Sequence, residues 1–112
     1  MTTGVTDAQP PAQLAVDVVE TGEGEVRVAL RGELDLAASG AVAERLAALR
    51  GRHVVIDLRR LTFIDSSGLH VLLRAYRDAA AAGGSVRLRR PPRRVMRTFE
   101  LVGLADVLPF VQ

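Results

Sequence analysis

Residues 54–80 read VVIDLRRLTFIDSSGLHVLLRAYRDAA, and a change of rhythm inside this stretch decides the fold. Val54-Val55-Ile56 with Leu58 is a short apolar run rich in β-branching, the pattern of a strand covered on both faces. Further on, Leu69, Leu72, Leu73, Tyr76 and Ala80 recur at helical spacing as one apolar stripe, while His70, Arg74, Arg77 and Asp78 take the other side. Arg74 and Asp78 form an i, i+4 pair, and Gly83-Gly84 closes the helix. A buried strand running directly into an amphipathic helix is half of a parallel βαβ unit.

The same alternation extends in both directions. Leu14 to Val19 alternates and stops at Gly22 and Gly24, and Val26, Val28 and Leu30 alternate with Arg27, Ala29 and Arg31, which predicts a hairpin of two strands. Val42, Leu46 and Leu49 fall at i, i+4, i+7 and place a helix over about 38–50, ended by Gly51. Val86 and Leu88 suggest a strand. Val95, Phe99 and Val102 mark a third helix capped by Gly103, and residues 107–111 form a short last strand. The order β-β-α-β-α-β-α-β predicts a mixed, mostly parallel sheet with helices packed on it, an α/β fold. Residues 1–12 are small, polar and end in Pro10-Pro11, so they read as a flexible N-terminal tail before one domain over 13–112.

Composition narrows the chemistry. The 112 residues have room for one core. With aromatics at 4%, that core must be built from Val, Leu, Ile and Ala. There is no cysteine, which excludes disulfides, thiolate nucleophiles and Cys-based zinc sites. No stretch approaches the roughly 20 apolar residues of a membrane span, and the first residues lack the order of a signal peptide. The expected location is the cytoplasm, with no membrane partner. Net charge is only +2, but it is unevenly spread. Residues 1–25 carry five acids and no base, whereas 87–97 carry six arginines (Arg87, Arg89, Arg90, Arg93, Arg94, Arg97) and no acid. Such a run can serve nucleic acid or anionic lipid. Here it alternates with Val86 and Leu88, brackets Pro91-Pro92 and has no interleaved aromatics, so nucleic acid is not the expected partner; an acidic protein surface is another candidate.

The chemistry concentrates in Asp65-Ser66-Ser67-Gly68-Leu69, between the buried strand and the strongest helix. Capping alone accounts for Asp and Ser at a helix start, because their side-chain oxygens accept the unpaired amides of the first turn. A second role is compatible with that one. A phosphate on a first-turn serine meets free N–H groups and the positive helix end. It adds roughly −1.5 to −2 charges at neutral pH, so the modified form keeps its helix and changes its surface. Ser66 lies nearer the exposed tip than Ser67, and the residues alone leave both open. His70 stands four positions after Ser66 on the same helix face, a pair that admits an esterase reading. Against it stand the missing Gly-rich turn, the missing third group to orient His70 and the missing Gly-x-Ser-x-Gly elbow. A solvated histidine at the rim of a docking surface fits better, and no enzyme activity, metal or cofactor is expected.

Gly32-Glu33-Leu34-Asp35, Val54-Val55-Ile56-Asp57-Leu58, Phe63-Ile64-Asp65-Ser66-Ser67-Gly68-Leu69 and Leu101-Val102-Gly103-Leu104 together resemble a stand-alone STAS domain of the anti-sigma factor antagonist type, over about residues 13 to 112. The resemblance implies partner switching in bacteria. The unmodified antagonist binds an anti-sigma factor that is also a serine kinase of the histidine-kinase-like ATPase type, and so frees a sigma factor for transcription. The kinase phosphorylates the serine after the motif aspartate, here Ser66, and a PP2C-type phosphatase reverses it. The same resemblance implies a partner surface of Asp35, Asp65, Ser66, Ser67 and Gly68, in which Asp65 holds the loop and Gly68 keeps the approach to the serine open; His70 joins it at the rim by its place on the helix. His70 departs from the family pattern, where some members have Gly. A STAS scaffold or ligand-sensing module outside sigma-factor control is the alternative.

Overall fold

The computed structural model describes residues 13–112, so the expected tail over 1–12 lies outside the described residues. In chain order the elements are β1 (Leu14–Glu20), β2 (Glu25–Leu34), α1 (Leu36–Ala47), β3 (His53–Ile64), α2 (Ser66–Ala81), β4 (Ser85–Arg89), α3 (Arg93–Leu101) and β5 (Phe110–Val111). The five strands form one sheet in the order β1-β2-β3-β4-β5. β1 and β2 are an antiparallel hairpin, and every later pair is parallel. The predicted element order and mixed sheet are both present.

Three successive parallel crossovers step across the sheet in the same direction. Because such crossovers are right-handed, all three helices fall on one face. The burial pattern agrees. Val26, Val28 and Leu30 of β2, Val54, Ile56 and Leu58 of β3, and Val86 and Leu88 of β4 share a single core with residues of all three helices. The alternate positions Arg27, Arg31, Arg59 and Arg87 are exposed. The expectation that β3 is covered on both faces is therefore corrected. Val55 is buried but lies outside that core, flanked in register by Arg27 and Arg87. A central strand reads as continuously apolar even with helices on one side only, because its neighbours' side chains shield the other.

β3 also runs to Ile64, well beyond the apolar run that announced it. Arg59-Arg60 breaks the apolar pattern, yet Leu61 and Ile64 are buried. The strand accommodates the break through register shifts against β2 between Ala29 and Arg31 and between Gly32 and Glu33. Gly32 sits there with φ of 111°, and a Cβ at that position would lie 2.1 Å from the Gln13 carbonyl oxygen. Only glycine fits that approach.

Helix boundaries shift by a few residues from the periodic reading. α1 starts two residues earlier and ends three earlier than 38–50. In α2, Ala79 faces the core and Ala80 is exposed. In α3 the buried face is Val95, Met96 and Phe99, while Val102 follows the helix and is 56% exposed. Phe99 anchors that layer, fully buried and edge-on to Phe110 with ring centroids 5.1 Å apart. Burying Leu69 and Leu72 of α2 is worth about 1.5–3 kcal/mol each, against about 1 kcal/mol for its N-cap. Packing thus makes the helix and the cap decides where it begins.

Candidate functional site

Leu34 and Ile64 are the last register partners of β2 and β3. In each strand the next residue is an aspartate that caps the following helix. Asp35 has φ −116° and ψ −174° and accepts the Ala38 N–H at 3.0 Å. Asp65 has φ −112° and ψ −173° and accepts the Gly68 N–H at 3.1 Å. Two strand-to-helix junctions of the same geometry stand side by side at one end of the sheet.

Asp65 also ties the junctions together. Its second carboxylate oxygen accepts the Leu36 N–H, the first amide of α1, at 3.0 Å. Its own amide donates to the Leu34 carbonyl at 3.3 Å, and its carbonyl accepts the Leu69 N–H at 3.0 Å. One side chain thus serves orphan amides at the starts of two helices.

Ser66 is the first residue of α2 and is exposed, whereas Ser67 is half-buried. With Gly68 and Leu69 bonded to Asp65, the amides of Ser66 and Ser67 have no acceptor among the described residues. The positive end of α2 is therefore open beside the Ser66 hydroxyl. Asp35 and Asp65 are half-buried, and His70 is exposed one turn further on.

Gly68 has a different role from the openness expected of it. It is buried, and a Cβ there would lie 2.6 Å from the Leu34 carbonyl oxygen, 2.7 Å from Leu34 Cγ and 2.8 Å from Ile64 Cγ1. The glycine lets α2 start hard against the ends of β2 and β3, and this close approach holds Ser66 at the tip.

His70 lines a groove between α1 and α2, a cavity of about 350 Å³ walled by Leu46, Ala47, Val71 and Ala75 and floored by Val54 and Val86. Among the described residues no hydrogen bond joins His70 to Ser66.

Sequence reasoning missed two residues at this tip. Leu36, directly after the Asp35 cap, is 74% exposed, and Phe63, the register partner of Glu33, is 47% exposed. Phe63 precedes buried Ile64 in a strand, so alternation alone sends it to the opposite face. Leu36 occupies the first position of an amphipathic helix, outside its apolar stripe of Val42, Leu46 and Leu49.

The arginine run divides. Arg87 pairs with Glu25, and the Arg90 guanidinium lies 5.7 Å from the centre of the Phe110 ring. Arg90, Arg93, Arg94 and Arg97 border an open concavity with Glu100 on its rim, and none of the four has an ion pair among the described residues. On the sheet face away from the helices, Arg59 donates to Asp57 from Nε at 3.0 Å and Nη2 at 2.8 Å. Those bonds hold the Asp57 carboxyl below its ordinary range. Burial opposes them, while the Arg59 amide and the charges of Arg59 and Arg89 assist.

A family model described as Mlab, STAS domain matches residues 18–111. The chain is 34% identical over 97 residues to an anti-sigma F factor antagonist of Paenibacillus polymyxa, covering 81% of each chain. It is 29% identical over 92 residues to an anti-sigma-B factor antagonist of Bacillus subtilis, covering 80% of this chain and 84% of that one. Among solved structures, the anti-sigma factor antagonist SpoIIAA in its unphosphorylated form superposes with a TM-score of 0.72 at 25% identity, over 88% of this chain and 89% of that one.

Proposed function

Because this chain belongs to the STAS domain family, we propose that it works as an anti-sigma factor antagonist whose docking surface is switched off by phosphorylation of Ser66. In this reading residues 13–112 are the working module, in the cytoplasm. The partner is an anti-sigma factor that is also a serine kinase of the histidine-kinase-like ATPase type, and a PP2C-type phosphatase restores the binding form. Asp35, Asp65, Ser66, Ser67, Gly68 and His70 make or support the surface.

The observation that carries the reading is Ser66 itself, an exposed hydroxyl at the head of α2 directly after a cap that leaves two first-turn amides free. A phosphate there gains those amides and the helix dipole, so the folded state tolerates it. Outward, the effect is opposite. Roughly two negative charges join a tip that already carries the Asp65 carboxylate, and a partner covering the tip must desolvate them or meet them with cations. Relatives named as antagonists, one of them described in an unphosphorylated form, support the same reading.

The test is phosphate mapping and binding. Purified kinases of the histidine-kinase-like class, with Mg²⁺ and ATP, should place one phosphate on Ser66 of the wild type and none on Ser66→Ala. Ser66→Asp should lose the partner while keeping its circular dichroism spectrum. A partner bound equally by wild type and Ser66→Asp would refute the switch.

A further inference from the structure

We infer that the concavity bordered by Arg90, Arg93, Arg94 and Arg97 is a docking site for an acidic segment of a second protein, one that carries an apolar residue after its carboxylates. The inference stands apart from the Ser66 switch and needs neither the serine nor its kinase. All four arginines are exposed and border one cavity, with buried Pro91 and Met96 also lining it and Glu100 on the rim. Among the described residues the ion pairs engage Arg31, Arg52, Arg59, Arg74 and Arg87 instead. Four like charges around one concavity repel one another, so an anion seated among them is attracted by all four.

Local structure holds the four in place. The Arg90 amide donates to the Val111 carbonyl at 3.3 Å and its guanidinium lies 5.7 Å from the centre of the Phe110 ring, so β5 steadies this side chain. Pro91-Pro92 stiffens the turn into α3. Pro92 has no side chain able to cap that helix. The Val95 and Met96 amides return to its carbonyl, which leaves the Arg93 and Arg94 amides without an acceptor among the described residues. The positive end of α3 therefore adds to the field of the guanidinium groups. Along the helix Arg94, Arg97 and Leu101 fall at i, i+3, i+7 on one stripe, and Leu101 is 77% exposed.

That stripe selects the kind of anion. From Arg93 to Leu101 the helix rises about 12 Å, the span of roughly four extended residues. A short run of Asp or Glu ending in an apolar side chain meets the guanidinium forks first and Leu101 last. Nucleic acid matches the arginines and nothing else. No aromatic lines the concavity to stack a base, and Leu101 has no counterpart on a phosphate backbone. A flat anionic bilayer meets the rim of a concavity, where Glu100 stands. A second copy of this chain offers no complement either. Five of its acids are already in ion pairs, Asp35 and Asp65 cap helices, and the other described acids stand on separate elements. The complement must come from another protein.

The experiment is fluorescence anisotropy with a labelled synthetic peptide of roughly four glutamates followed by leucine. At low salt the wild type should bind it, and the double variant Arg94→Gln, Arg97→Gln should bind about tenfold more weakly. Arg45→Gln with Arg50→Gln removes the same charge from exposed positions at the end of α1 and just beyond it, and should stay within about twofold of wild type. Thermal midpoints should not move in either, because α3 packs through Val95, Met96 and Phe99. Affinity should fall about tenfold or more from low to high salt. A peptide with glutamine for glutamate should not bind, and serine in place of leucine should weaken binding about fivefold. No binding by the wild type, equal affinity in the α3 variant, or an equal loss in the Arg45, Arg50 variant overturns the site. Equal binding of the serine peptide overturns the choice of a protein segment. Random duplex DNA, or vesicles of phosphatidylcholine with phosphatidylglycerol, bound more tightly than the peptide and lost in the α3 variant, overturns it in favour of nucleic acid or membrane.

Discussion

Gly68→Ala is a small change in composition with a large expected effect, because the added methyl has nowhere to go. Its carbon would sit 2.6 Å from the Leu34 carbonyl oxygen, and ordinary contact begins near 3.4 Å, so helix or strand must give by about 0.8 Å. Leu34 Cγ at 2.7 Å and Ile64 Cγ1 at 2.8 Å block the sideways escape, and both side chains are buried. Overpacking of this kind costs about 1–3 kcal/mol. The displacement also stretches the 3.1 Å bond from the Gly68 amide to Asp65 beyond useful range, which removes roughly 1 kcal/mol of capping. Alanine returns nearly 1 kcal/mol through helix propensity. The net expectation is a loss of about 2 kcal/mol, and for a domain of this size a fall in thermal midpoint of roughly 8–16 °C. Thermal and urea unfolding followed by circular dichroism measure it. A midpoint within about 2 °C of wild type would show that the junction is soft, and the account of how Ser66 is positioned would then be wrong.

Three further outcomes follow from the same contacts. Asp65→Ala removes acceptors from two helix starts and should cost about 1–2 kcal/mol in urea unfolding, whereas Asp65→Asn keeps one acceptor and should lose less. The Asp57 carboxyl is held below its ordinary value of 3.8 chiefly by Arg59, so the folded state binds fewer protons there than the unfolded one. Its contribution is present above that value and is lost as pH falls through the lowered one; the stability difference between wild type and Asp57→Asn should shrink over that acid range in a pH series of thermal melts. Phe99→Ala opens the core beneath α3 and breaks the edge-on contact with Phe110, at a cost of about 3–5 kcal/mol. That is a large share of a typical domain's 5–15 kcal/mol, and differential scanning calorimetry should show a midpoint lowered well beyond that of Gly68→Ala.

Some of this was legible because local chemistry is short-ranged. Alternation in β2, the stripe Leu69, Leu72, Tyr76 and the aspartate before Ser66 each depend on residues within one or two turns, and each survives into the structure. The extent of β3 was not legible. Arg59-Arg60 breaks the alternation, and only pairing with β2, adjusted at Gly32, carries the strand on to Ile64. The choice of Ala79 over Ala80 as the buried position was equally out of reach, since it depends on how α2 lies against the sheet.

The sequence alone determined that a helix would begin at Asp65-Ser66 and that a hydroxyl would stand at its head, because capping is a contract among four consecutive residues. It also carried the family resemblance that Asp65-Ser66-Ser67-Gly68 and Gly32-Glu33-Leu34-Asp35 express together. Only the tertiary structure decided that these two segments meet. The Asp65 carboxylate reaches the Leu36 amide, 29 residues away in the chain, because parallel pairing brings Leu34 beside Ile64. The same pairing turns Gly68 inward and leaves Leu36 and Phe63 outward. Contacts of that kind depend on where the sheet brings distant segments together, and no local pattern encodes it.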